Sequence, residues 1–531
     1  MTNRPYYPVG IQSFSELREL RAVYVDKTGL IYNLTHTSKY VFLSRPRRFG
    51  KSLLSSTLQC YFEGKKELFT GLDMERLEKE WTVHPVLHFD LSTAKNVDSA
   101  KVIERISLQI DAYEKLYGKN EKETTLGARL EGLIQRSAQR TGQKAVVLID
   151  EYDAPVLNVL HEPDEVRYMI RQSLREFYAP LKACDSYLRF VFITGISTFS
   201  QLGIFSELNN LDVISETNEY ATLCGITQDE LVKNFQYGIN QLTKEWECTA
   251  DEVVEQLRDN YDGYHFSPRS EGVFNPFSLL KSFKDKQLGS YWFQSGTPQY
   301  LVETLKRYAE QGKFNLSMLD TQKDISATAF NTPIESMTGA IPLLYQSGYL
   351  TLKAYNREDD LYTLDIPNTE VRIGLMQNLL PLYADVDPED MKSVASKAST
   401  CLRKGDFDGA LRLLQSLLSS IPFMRGDADI LANTEKTEAY YHRLFYFFFR
   451  MLRNEVYAEM RNAIGACDTM VFTRHAIYIF EIKIDSNPQV ALDQIEAKGY
   501  AKPYLTDGRE IIKIGVSFST KTRTIEEWKR G

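Results

Sequence analysis

Four short apolar runs punctuate the first part of the chain: YVFLS (40–44), VLHFDLS (86–92), AVVLID (145–150) and RFVFITGIS (189–197). None alternates strictly between apolar and polar positions, the pattern of strands covered on both faces of a parallel sheet. The segments between them are long enough for crossover helices, for example SAKVIERISLQIDAYEKLYG (99–118). Residues 1–225 therefore predict an α/β domain with a doubly wound parallel sheet. From Thr227 the period becomes helical, and Thr227 with Glu230 has the spacing of a capping box. Residues 226–290 read as a helical, winged-helix-like lid containing the turn-rich pieces YDGYHFSP and VFNPFSLL. Residues 291–430 read as a mostly helical middle region, with a polar linker at RGDADILANTEKTE (425–438). A last domain, 431–531, follows the order α-β-β-β-α-β: helix TEAYYHRLFYFFFRMLR, strands EVYAEMRN, CDTMVFT and AIYIFEIKI, helix NPQVALDQIEAKGYAKPY and strand IIKIGVSFS.

Composition narrows the class. With 531 residues, 43% hydrophobic and 25% charged, the chain is an ordinary multidomain globular protein. Its N-terminus lacks an apolar signal region, and the cluster LFYFFF (444–449) is too short to span a bilayer, so no membrane partner is expected. Six scattered cysteines without metal spacing fit a reducing compartment and predict a cytoplasmic protein. The net charge of −8 argues against non-specific coating of nucleic acid. From Leu431 to Gly531, however, fifteen Lys/Arg face thirteen Asp/Glu, so that region carries +2 and the remainder −10. A polyanion would touch the C-terminal domain first.

Candidate chemistry begins at YVFLSRPRRFGKSLLSST (40–57). Gly50-Lys51-Ser52 opens an apolar helix directly after a strand, the context of a phosphate-binding loop. In such a loop backbone N–H groups and the lysine meet phosphates, and the Ser hydroxyl ligates Mg²⁺. Arg45 occupies the place of the usual first glycine, and Arg48 can add charge near the phosphates. Taken alone, this is equally a basic turn. Asp150-Glu151 at the end of a buried run changes the balance: Asp150 is placed to hold Mg²⁺ and Glu151 to polarise the attacking water. Thr194, at the end of another buried run, is the candidate γ-phosphate sensor. Together these predict an ATP site.

A second constellation lies at 468–494. Strand alternation in AIYIFEIKID puts Glu481 and Lys483 on one face, which by itself describes a solvated charged face. Asp468 lies thirteen residues earlier, within reach across a hairpin. Gln494 sits on the following helix and Glu438 near the start of the leading one. Asp468 and Glu481 suit an all-oxygen site for Mg²⁺ or Mn²⁺, with Lys483 orienting water or offsetting phosphate charge. His84, His88 and His442 read as structural.

YPVGIQSFSELREL, YVDKT, RPRRFGKS, LIDEYDAP and YDGYHF…VFNPFS resemble the bacterial AAA-ATPase-like proteins, P-loop ATPases of the AAA+/STAND kind fused to a PD-(D/E)XK nuclease-like domain. The D…E-x-K spacing, with TEAYYHRLFY, YIFEIKID and QIEAKGYAKPY, is similar to that nuclease fold. One departure is Cys467 in place of the proline before Asp468. The resemblance implies that Arg45 is the family's own variant of the loop. It implies ATP with Mg²⁺ at the first site and Mg²⁺ or Mn²⁺ at the second, nucleic acid (DNA first) as partner, and possible homo-oligomers. It does not identify an arginine finger; Arg189 and Arg269 are candidates. Two functions follow: a nuclease gated by ATP, or a regulatory nucleotide switch whose nuclease-like domain only binds nucleic acid or a protein.

Overall fold

The apolar runs form strands β1 (Tyr40–Ser44), β2 (Val86–Asp90), β3 (Ala145–Asp150) and β4 (Leu188–Gly195), joined at one edge by the two-residue β5 (Asp212–Val213). All pair in parallel in the order β2-β3-β4-β1-β5. β4 thus separates the strand that leads into the glycine-lysine loop from the strand that carries the acidic pair, and the C-terminal ends of all three open on the same edge. The structure, a computed structural model, describes residues 5–160, 162–198, 210–296, 299–314, 316–319, 323–332, 339–384, 386–421, 434–452, 455–462 and 465–531. These divide into two compact units, Met1–Phe314 with Gln322–Asn368, and Asn315–Thr321 with Thr369–Gly531.

In the first unit, helices Ser99–Tyr117, Leu126–Thr141 and Asp164–Tyr178 lay apolar stripes on one sheet face. Val102, Ile106 and Ile110, four residues apart, make one such stripe. The Thr227–Glu230 capping box is formed as the spacing predicts. The short helices after it close a second core in which Phe235 stacks on Phe283 at 5.2 Å. The region read as mostly helical also carries a small antiparallel sheet, β6 (Lys323–Ile325), β7 (Thr351–Asn356) and β8 (Leu361–Asp365), in the order β6-β8-β7.

In the second unit, helix Thr434–Arg450 precedes β9 (Glu455–Asn462), β10 (Gly465–Phe472) and β11 (Ala476–Ile484). Helix Pro488–Lys498 then crosses over to β12 (Glu510–Ser519), which pairs in parallel with β11. The C-terminal segment KTRTIEEWKRG, of mixed charge, supplies an edge strand, β13 (Thr524–Arg530), antiparallel to β12. The sheet order is β13-β12-β11-β10-β9. β11 is covered on both faces: Ile477 and Ile479 pack toward Leu492 and Ile495, and Phe480 meets Phe449 at 4.9 Å. Most of the expected linker lies outside the described residues. No helix among the described residues is long and apolar enough to cross a membrane, and none of the six cysteines is in a disulfide.

Candidate active sites

The loop after β1 is braced from below. Arg45 is only 2% exposed. Its guanidinium donates to the carbonyls of Ser44 (2.9 Å), Ser215 (2.6 Å) and Tyr220 (3.1 Å) and lies 4.1 Å from the Phe266 ring centroid. Burial lowers its pKa to about 10, so it stays charged at neutral pH. Arg45 is therefore a strut, turned away from the space a phosphate would enter. Phe49 adds edge contacts to Tyr264 (4.7 Å) and Phe266 (5.2 Å), and Trp292 Nε1 donates to the Arg47 carbonyl (3.0 Å). YDGYHF thus serves as the floor of the loop.

Gly50 caps the helix Lys51–Phe62 at φ +93°, a backbone conformation that costs glycine nothing. Lys51 is buried, and its ammonium donates to the Arg45 and Pro46 carbonyls, both at 3.0 Å. Desolvation lowers its pKa, opposed by Asp150, Glu151 and Asp153. Ser52 lies beside the Asp150 carboxyl and favours its charged form, but burial dominates and raises the Asp150 pKa to about 6. Glu151 follows at φ +50°, with its carboxylate 3.6 Å from Lys95 Nζ. Arg48, at φ +68°, lies over Phe277 at 4.7 Å. Arg48, Gly50, Lys51, Ser52 and Glu151 line a cavity of about 400 Å³ together with apolar side chains that include Ile11, Val25, Phe235 and Phe277.

Thr194 does not join them. It is fully buried, and its hydroxyl donates to the Leu43 carbonyl at 2.8 Å, which corrects the sensor assignment: the side chain is spent between β1 and β4. Neither arginine-finger candidate reaches the loop. Arg189 stands at the N-terminal end of β4, on the Thr35 carbonyl and the Phe62 ring, and Arg269 is on an exposed turn.

In the C-terminal sheet, β10 and β11 pair with Thr469 opposite Phe480, which sets Asp468 beside Glu481. Asp468 Oδ2 accepts the Ile482 amide at 2.7 Å. Glu481 is 1% exposed, which overturns the solvated-face alternative. Its Oε1 accepts from Lys483 Nζ (3.2 Å) and from the Gln494 amide, while its buried Oε2 has no hydrogen-bond partner. Burial first, and then the Asp468 charge, push the Glu481 pKa up to about 7 against the pull of Lys483. Asp468, Glu481, Lys483 and Gln494 are thus brought together; the Glu438 side chain lies outside the described residues. Among the described residues no three His, Cys, Asp or Glu side chains form a metal-holding group. The pair Asp468–Glu481 nevertheless fits a divalent cation, because a buried carboxylate oxygen without a donor, crowded by a second carboxylate, lacks only positive charge.

A family profile described as "Predicted AAA-ATPase" matches residues 8–205, and one described as "PD-(D/E)XK nuclease superfamily" matches 436–528. A protein of Azotobacter chroococcum mcd 1, described as "Uncharacterized protein in vnfD 5'region", is 33% identical over 530 residues, 98% of either chain. The chain belongs to the AAA-ATPase-like family. Its C-terminal domain is of the PD-(D/E)XK nuclease superfamily. In this AAA-ATPase-like chain, sequence reasoning passed over two polar groups. Asp153, the third acid of LIDEYDAP, is buried and takes three hydrogen bonds from Ile196 and Ser197; its proximity to Asp150 was the available signal. His442, read as structural, stands with Nδ1 4.0 Å from Asp468 Oδ1. Its place one helical turn beyond Glu438 was the hint.

Proposed function

We propose that residues 8–205 bind and hydrolyse ATP with Mg²⁺, and that the 436–528 domain cuts phosphodiester bonds, in DNA, with Mg²⁺ or Mn²⁺ under control of the nucleotide state. The observation that carries the reading is the Asp468–Glu481 pair, with Lys483 and Gln494 on one Glu481 oxygen and no donor on the other. Asp468 and Glu481 would hold the cation, which when bound supplies positive charge to activate water and offset the anionic phosphate. Lys483 brings an ammonium to the same point, where it orients water or stabilises charge developing on the phosphate. Gln494 fixes the Glu481 side chain. At the first site, Lys51 would exchange two backbone carbonyls for phosphate oxygens, Ser52 and Asp150 would hold Mg²⁺, and Glu151 would act as base toward water. The apolar wall of the cavity suits a nucleobase.

The test is an assay of DNA and RNA cleavage by the full chain with Mg²⁺ or Mn²⁺, with and without ATP. Wild type should cut. Lys51→Ala should lose ATP turnover by about 100-fold or more and lose the response of cutting to ATP. Glu481→Ala should lose cutting and keep ATP turnover. Nucleic acid bound but left whole under every condition would replace this reading with the regulatory switch.

A further inference from the structure

The acidic turn after β3 is fastened by the neighbouring strand β4 and by residues beyond the sheet. Tyr152 N donates to the Thr194 carbonyl at 3.1 Å. One oxygen of the buried Asp153 carboxylate takes the amides of Ile196 (3.0 Å) and Ser197 (2.6 Å) and the Ser197 hydroxyl (2.6 Å). These bonds clamp the exit of β4 to the turn that holds Glu151 at positive φ. The chain then reaches Thr198, whose amide donates to Gln346 Oε1 at 3.1 Å. Gln346 ends the helix Ala340–Gln346, beyond the residues matched by the ATPase profile. It is 5% exposed, and its amide nitrogen donates to the carbonyls of Thr332 (2.7 Å) and Phe330 (3.4 Å). A buried amide held at both ends has one orientation, and it fixes whatever bonds to it.

We propose that Gln346 is a positioning residue for nucleotide hydrolysis: through Thr198, Ser197 and Asp153 it keeps the Glu151 turn in working geometry. The inference rests on the ATPase reading above. Binding of the triphosphate falls to the loop, which has its own supports in Arg45 and Trp292, whereas the acidic turn serves the chemical step. A shift of about 1 Å in a catalytic group can cost roughly 100-fold in rate. Loss of the Gln346 bond therefore separates rate from affinity.

The experiment measures steady-state ATP hydrolysis by the full chain and binding of a fluorescent non-hydrolysable ATP analogue. It compares wild type, Gln346→Met (near-isosteric, without the hydrogen bonds), Asp153→Ala and the double variant. Gln346→Met should lower kcat about tenfold with KM and analogue affinity within about twofold, and the double variant should lose no more than the worse single one. Unchanged kcat in Gln346→Met, additive losses in the double variant, or analogue affinity falling in step with kcat would overturn the proposal, the last by marking Gln346 as a general prop. A wild-type chain without ATP turnover would overturn the ATPase reading and this inference with it; turnover in wild type with any of the other results removes the inference alone.

Discussion

The two sites are unfinished in opposite senses. At the loop, a buried ammonium donates its hydrogen bonds to backbone carbonyls, and desolvation lowers the pKa of Lys51 against the pull of Asp150, Glu151 and Asp153. At the hairpin, a buried carboxylate has an oxygen without a donor, and Glu481 is pushed up to about 7. The sign of each shift says which charge would relieve it, an anion in the first case and a cation in the second. Asp150, raised to about 6 beside Lys51, adds a demand for a cation at the loop, as a site for a metal-bound triphosphate should. The frames differ as well. The hairpin gathers its groups from residues 468–494, whereas the loop rests on Ser215, Tyr220, Phe266 and Trp292, all distant in sequence.

That contrast can be broken at the frame. Arg45→Gly restores the glycine of an ordinary phosphate loop, yet it should destabilise the first unit by about 3 kcal/mol, because three carbonyls, two of them in buried bonds, lose a charged donor. Urea denaturation followed by tryptophan fluorescence would measure it, and an unchanged midpoint would deny Arg45 its role as a strut. The next effect is electrostatic. Glu481 has its pKa raised in the folded state, so the native chain binds more protons than the unfolded chain between the ordinary carboxylate range and about pH 7. Stability should fall as pH rises through that window and level off above it, a penalty on the order of 3 kcal/mol in chelator. Glu481→Gln should lack the penalty, and Mn²⁺ should relieve it in wild type only, which thermal melts across pH would show. The smallest effect concerns Asp150, whose carboxylate form is lost as pH drops through about 6. The kcat/KM for ATP, which reports the free enzyme, should fall to about half near that pH and continue downward, and a flat kcat/KM profile from pH 7 to 5 would deny Asp150 its role.

The same contrast in frames explains what the sequence disclosed. Parallel strands, capping box and hairpin carboxylates are local patterns, and a hairpin of fixed register needs no distant residue to bring Asp468 beside Glu481. The floor of the loop is invisible in this way, since nothing at Arg45 says that its guanidinium will be held by carbonyls near residue 220. Thr194 was misjudged because a place at the end of a strand does not tell whether a hydroxyl faces the opening or the neighbouring strand; here it satisfies Leu43. β6, β7 and β8 escaped because strands of three to six residues with mixed polarity lack a clear period. The charged tail concealed β13 for another reason: TIEEWKR carries Glu526-Glu527 and Lys529-Arg530 as adjacent pairs with no clear period of two, and charges of that kind are what an edge strand needs to resist pairing with other chains.

The Trp292–Arg47 bond has a practical consequence for anyone dissecting this chain. A fragment trimmed to the end of the recognisable ATPase homology would discard that indole along with Phe266, and would leave the glycine-lysine turn suspended without its underside. Loss of activity in such a fragment would report a missing foundation, and the smallest faithful piece for nucleotide work extends through the first unit's last strands.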